Sequence, residues 1–307
     1  MTSRERCASV AIIVRLRSLL MSHVCRRTFL IGSAAISLAT ACGSGSTPAT
    51  APKFLVVRFP DGYRAASTMI AGIEQRMPFA ISDSVDIMRE SAPDHLTFIV
   101  TRGDTVITET SVTAHRSGII TPYYPLKVTF PDAGAYVVSL ADYPDISPID
   151  ILIADAGEVS LLQPGDPLPA IGTPTLDDSR GVVDLCTRAI DCPFHNHNLN
   201  DVLANGRPTV LLIATPGFCQ TDICGPVVDL LIEEALTYDS IDFIHAEVYV
   251  DPADFTSGKF PDTSPIVAAL GLPYEPILFA ANGDGEIIAR LDLAWDRVEL
   301  HEAIATL

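Results

Sequence analysis

Four cysteines lie in the C-terminal half of the chain, at positions 186, 192, 219 and 224, with histidines at 195, 197 and 245 around them. Thiols in such numbers can exchange disulfides or bind soft metal ions. Cys219 and Cys224 are the pair whose setting is most specific. The run Thr215-Pro216-Gly217-Phe218-Cys219-Gln220-Thr221-Asp222-Ile223-Cys224-Gly225-Pro226 leads into the apolar-periodic stretch Val227 to Leu236. Proline is tolerated only in a helix's first turn, so Pro226 requires a helix that starts between about Asp222 and Gly225. In a continuous helix, residues five apart are separated by ~7.5 Å along the axis, too far for a disulfide. With the helix starting after Cys219, the loop can fold back and the two sulfurs can join. The backbone N–H groups and dipole at that helix end favour a thiolate, which raises reactivity. A loop this short closes with a stabilisation of only roughly 2 kcal/mol, which weakens the case for an inert staple.

The elements that must hold this pair follow from the flanking sequence. Asn198 to Asn205 predicts a short helix stopped by Gly206. Thr209 to Ala214 is a continuous apolar run, as expected of a central strand covered on both faces. Ile241 to Val250 predicts a second strand and Pro265 to Leu270 a helix ended by Gly271. A third strand starts at Glu275-Pro276-Ile277-Leu278-Phe279, turns at Asn282-Gly283-Asp284-Gly285 and returns over Glu286 to Leu291, before a last helix over Asp296 to Ala305.

Over residues 159–307 this order resembles the thioredoxin-like α/β fold, and Gln163-Pro164-Gly165-Asp166-Pro167-Leu168-Pro169 resembles the lead-in of its thioredoxin-like and peroxiredoxin-like members. The resemblance implies a thiol–disulfide oxidoreductase with Cys219 as the exposed attacking thiol and Cys224 as its resolving partner. It also puts Pro276 at the place of that family's cis-proline beside the active site. The spacing is Cys-x4-Cys where the family has Cys-x-x-Cys. Peroxidase chemistry is disfavoured, because Pro216 and Leu212 occupy the positions where peroxiredoxins carry Thr or Ser and Pro. One alternative is a redox-inactive binding protein of the same fold; another comes from the Sco-type copper chaperones, also thioredoxin-like, which bind Cu(I) through two cysteines and a histidine. Here Cys219, Cys224 and His245 would be the ligands, and Cys192-Pro193-Phe194-His195-Asn196-His197 offers a further cluster.

Residues 53–158 read differently. Strands are expected over Phe54–Phe59, Leu96–Thr101, Thr105–Thr113, Lys127–Phe130 and Tyr136–Leu140, with turns between them and no long helical period. An all-β sandwich follows. Asp132-Ala133-Gly134-Ala135-Tyr136 resembles the tyrosine corner of immunoglobulin-like domains, whose Tyr hydroxyl bonds back to the preceding turn. No catalytic cluster is visible here, and His95 and His115 stand isolated, so this half is expected to be a spacer or binding module.

The first 52 residues predict an address. Phe29 to Ala41 is apolar, uncharged and too short to span a bilayer comfortably, and Arg26-Arg27 directly precede it. The run Cys25-Arg26-Arg27-Thr28-Phe29-Leu30 resembles a twin-arginine export signal, and Leu38-Ala39-Thr40-Ala41-Cys42 resembles a lipobox with Cys42 as the lipidated residue. Residues 1–42 are thus expected to be a signal peptide, with translation starting at Met21, and 43–52 a flexible tether rich in Gly, Ser, Thr, Pro and Ala. These features predict an extracytoplasmic protein, lipid-anchored to a bacterial membrane, that acts on protein thiols and disulfides of the cell envelope. Export leaves Cys186, Cys192, Cys219 and Cys224, an even number that allows three disulfide pairings. Cys186 and Cys192 are expected to form the structural bridge, holding the loop before the Asn198 helix.

Charge excludes one class of partner. The 307-residue chain has a net charge of −18, yet residues 1–42 hold six Arg and a single acid. The remainder carries 14 basic against 37 acidic residues, and a body this acidic repels nucleic acid.

Overall fold

The computed structural model describes residues 51–58, 68–218 and 224–307. The signal segment, Cys42 and most of the tether lie outside the described residues, as does Cys219. Residues 48–307 form one compact unit.

The first part is built from seven strands, β1 (Phe54–Val57), β2 (Glu74–Ser82), β3 (His95–Arg102), β4 (Thr105–Thr113), β5 (Tyr124–Thr129), β6 (Gly134–Leu140) and β7 (Ile149–Ile153). They make two antiparallel sheets, in the orders β1-β2-β5 and β4-β3-β6-β7. Alternate side chains from both sheets, among them Met77, Phe79, Leu96, Phe98, Leu126 and Tyr136, fill a common core. The Tyr136 hydroxyl donates to the Asp132 carbonyl at 2.7 Å, the bond foreseen for that turn. β2 and β7 go beyond the strands expected from sequence. Pro78 interrupts β2's pattern, yet the register sets it opposite Pro125, so two residues without N–H groups face each other.

The second part contains α1 (Leu199–Ala204), β8 (Thr209–Ile213), α2 (Cys224–Ala235), β9 (Asp242–Ala246), α3 (Pro265–Leu270), β10 (Ile277–Ala281), β11 (Ile287–Asp292) and α4 (Arg297–Ile304). The sheet order is β11-β10-β8-β9, with β9 parallel to β8 and the other neighbours antiparallel. One face of the sheet packs against α2 and α4 through Val210, Leu212, Val228, Leu231 and Leu300. The other packs against α1 and α3 through Leu211, Ile213, Val202 and Ile266. All five residues of β8 are buried, as its apolar run required. The second strand stops at Ala246, short of the Val250 expected from hydropathy, and the chain then leaves the sheet. The Glu275–Pro276 peptide is cis.

Buried polar contacts join the two parts. Arg76 of β2 donates from Nε to Glu299 of α4 at 2.8 Å, and the Tyr123 hydroxyl donates to the same carboxylate. His115 is not isolated: its Nδ1 lies 2.8 Å from Asp296, the residue that caps α4 by accepting from Val298 and Glu299.

Candidate functional site

Cys224 occupies the first position of α2 and is fully buried, in line with the start that Pro226 required. It is disulfide-bonded, and because Cys186 and Cys192 are both free its partner lies outside the described residues. Its Sγ is 3.8 Å from Oε2 of Glu275, the residue immediately before cis-Pro276. The Glu275 carboxylate also accepts from the Thr215 backbone N–H at 2.6 Å, so it bridges the start of β10 to the loop that leads to Cys219. Burial pushes the Glu275 carboxyl up to about 7, against the hydrogen bonds from Thr215. A carboxyl that titrates near neutrality beside a buried cysteine can take up or return that thiol's proton.

The segment that leads towards Cys219 is buttressed at Gly217. Gly217 donates from its N–H to the Thr187 hydroxyl at 2.9 Å, and a side chain at Gly217 would place its Cβ 2.5 Å from the Thr187 carbonyl oxygen. Thr187 in turn gives its N–H (2.6 Å) and hydroxyl (3.0 Å) to Oε1 of Glu247. Glu247 is buried just past β9, its Oε2 has no hydrogen-bond partner among the described residues, and burial raises its carboxyl to about 8. A groove of about 460 Å³ runs between Thr187–Ile190, Pro216–Gly217, Gly225 and Asp229. On the loop itself, Phe218 stacks on Phe255, which meets Tyr249 and Phe260 edge-on. Phe260 is 77% exposed, so aromatic surface is presented close to Cys219 in sequence.

The other two cysteines correct an expectation. Cys186 and Cys192 are free thiols, without the structural bridge expected for them. They share a buried cluster with His195 and His245, in which the four ligating atoms all lie within 4.8 Å of one another. The cause is tertiary: β9 brings His245 up to both thiols, with its Nδ1 3.9 Å from Cys186 Sγ and 3.4 Å from Cys192 Sγ. His245, grouped with Cys219 and Cys224 in the copper alternative, has both ring nitrogens committed elsewhere. Nδ1 lies 3.4 Å from Cys192 Sγ and Nε2 donates to the Ala214 carbonyl at 3.0 Å. His197, two residues beyond His195, is exposed and outside the cluster.

Sequence reasoning did not single out Glu275, Glu247 or Thr187. A signal existed for Glu275, since an acid directly before the proline assigned to the active site must approach the same cysteines.

No family model matches this chain, and no curated protein matches it. Among solved structures it is similar to MTB DsbF, determined in mixed oxidised and reduced forms, at 17% identity over 45% of this chain and 94% of that one, with a TM-score of 0.31. It is also similar to reduced desulfothioredoxin from Desulfovibrio vulgaris Hildenborough, at 11% identity over 34% of this chain and 88% of that one, with a TM-score of 0.24.

Proposed function

We propose that this chain is an exported, lipid-anchored thiol–disulfide oxidoreductase of thioredoxin-like type, whose working pair is Cys219 and Cys224. One observation carries the reading: a buried, disulfide-bonded cysteine on the first turn of α2, with the carboxyl of Glu275 3.8 Å from its sulfur. In the reductive direction, the Cys219 thiolate attacks one sulfur of a substrate disulfide and expels the other as a thiolate. The Cys224 thiol gives its proton to Glu275, and the resulting thiolate attacks Cys219, releasing the second substrate thiol. Two electrons pass from the dithiol to the substrate, and the pair ends as a disulfide. The oxidising direction is the reverse of these steps.

Substrates in this reading are protein thiols and disulfides of the cell envelope, entering along the groove beside Thr187–Ile190 and Pro216–Gly217. Export rests on Arg26-Arg27 and the Phe29–Ala41 segment, and anchoring on lipidation of Cys42. Among the described residues no helix is long and apolar enough to cross a membrane. The β-sandwich, immunoglobulin-like in this reading, acts as a binding module or spacer.

Redox titration of the full chain against glutathione tests the pair. A potential above about −300 mV is expected, whereas a lower one would mark an inert staple. Cys224→Ser, which lacks the resolving thiol, should accumulate a mixed disulfide through Cys219; a variant that traps no partner thiol under oxidising conditions would contradict the assigned roles.

A further inference from the structure

Cys186, Cys192, His195 and His245 take no part in the chemistry proposed above, yet all four are buried and converge on one point. Two come from an irregular loop and one from its short Cys-x-x-His continuation, while His245 comes from β9. Cys192 Sγ lies 3.1 Å from His195 Nε2 and 3.4 Å from His245 Nδ1. The two imidazole nitrogens are 3.4 Å apart, and Cys186 Sγ is 3.9 Å from His245 Nδ1. Zinc bonds of about 2.3 Å to sulfur and 2.0–2.1 Å to nitrogen put the corners of a tetrahedron about 3.3–3.8 Å apart. These four separations fall in or beside that range, and all six lie within 4.8 Å.

Three further features belong to a metal centre. The Nε2–H of His245 is held by the Ala214 carbonyl, which fixes the tautomer and leaves Nδ1 as the ligating atom. The His195 and His245 rings meet edge-on, 60° apart, with centroids at 5.1 Å, so their nitrogens converge. The loop that carries Cys186, Cys192 and His195 has no regular secondary structure from Val183 to Asn198, and it must be held against the edge of β9 by something other than a ladder. Its backbone gives the strand one bond there, from the His245 N–H to the Phe194 carbonyl at 3.2 Å.

We infer that Cys186, Cys192, His195 and His245 form a closed, four-coordinate structural zinc site. Charge selects the ion. Two thiolates and two neutral imidazoles around Zn²⁺ sum to zero, which a buried site tolerates. Cu(I) with the same ligands would leave a net negative charge buried in the site. Four protein ligands leave no open position, so the ion does not activate water. Its consequence is positional: it pins the loop bearing Thr187, whose hydroxyl holds the Gly217 N–H of the Cys219 loop.

The site stands apart from the oxidoreductase reading and is tested apart from it. The full chain, purified with its thiols reduced and in the presence of zinc, should contain one zinc per chain by elemental analysis. Replacement by Co²⁺ should give the visible bands of a tetrahedral thiolate-ligated ion. Cys192→Ser and His195→Ala should each reduce zinc content from one equivalent to none, while Cys224→Ser keeps it at one. Because a ligand variant could fail to fold, alkylation of the unmodified protein provides a second reading. Cys186 and Cys192 should be protected with zinc bound and become reactive once it is chelated. The inference is overturned by a folded protein that holds no zinc, by stoichiometric Cu(I) in preference to zinc, or by a Cys186–Cys192 disulfide in zinc-replete protein.

Discussion

In the proposed reaction, Glu275 is the side chain on which the chemistry of Cys224 turns. Its carboxyl, raised to about 7 by burial, gains its charge, and with it the capacity to accept the thiol proton, as pH rises through about 7. The rate of the resolving step should therefore rise through about pH 7 and level off above it. In Glu275→Gln the inflection should vanish and the neutral-pH rate should fall by about 10²-fold or more, the lower end of what a positioned base contributes. Stopped-flow reduction of a mixed disulfide across pH checks this, and an unchanged profile would remove Glu275 from the mechanism. Stability should move the other way. A carboxyl whose pKa is raised by folding binds more protons in the native state than in the unfolded one, so it costs stability as pH rises through the interval from its ordinary value to about 7. Glu275→Gln should accordingly melt higher than the unmodified protein at pH 8 and lose that advantage at pH 5.

At the scale of elements, three pieces meet around Cys224 and the loop after β8: the end of β8, the first turn of α2, and the loop around Thr187. The backbones of Gly217 and Thr187 approach so closely that only glycine fits, since an added Cβ would stand 2.5 Å from a carbonyl oxygen that cannot rotate away. Gly217→Ala should destabilise the fold by about 1–3 kcal/mol, the usual cost of overpacking, and shift the redox potential of the pair by moving the Cys219 loop. Thermal unfolding together with a glutathione titration reads both. A Gly217→Ala protein with unaltered melting and potential would mean that the Thr187 contact does not support the loop.

Across the whole molecule, the sandwich and the α/β part are joined by charges removed from water. Arg76 is buried against Glu299, which holds the guanidinium in its charged form despite desolvation, while the ion pair and the Tyr123 hydroxyl keep the Glu299 carboxyl below its ordinary value. Removing one partner of such a pair leaves an uncompensated buried charge, so Arg76→Ala should cost about 3–5 kcal/mol. Arg76→Met combined with Glu299→Leu should cost much less, because neither charge is then stranded. Chemical denaturation of the single and double variants distinguishes a true ion pair from two independent contacts: additive losses would argue for the latter.

Features that depend on short-range constraint were legible from residue order alone. Pro226 limits where α2 can begin, the uninterrupted apolar run from Thr209 makes a central strand, and Asp132 to Tyr136 specifies a corner whose hydroxyl bond is present. Strand β2 was hidden because Pro78 breaks the local signal, and only pairing with Pro125 makes a proline there harmless. Which sulfurs and nitrogens meet was set by the folding of distant segments together. Cys186 and Cys192 are close enough in sequence to suggest a bridge, but His245 arrives from a strand about fifty residues later, aimed into the same space by the alternation of β9. Glu275 likewise reaches Cys224 because β10 lies beside β8 in the sheet. Side-chain types reveal which chemistries are possible; the pairing of distant strands selects the partners, because ligation and proton transfer act over a few ångströms while the chain that brings the groups together is hundreds of ångströms long.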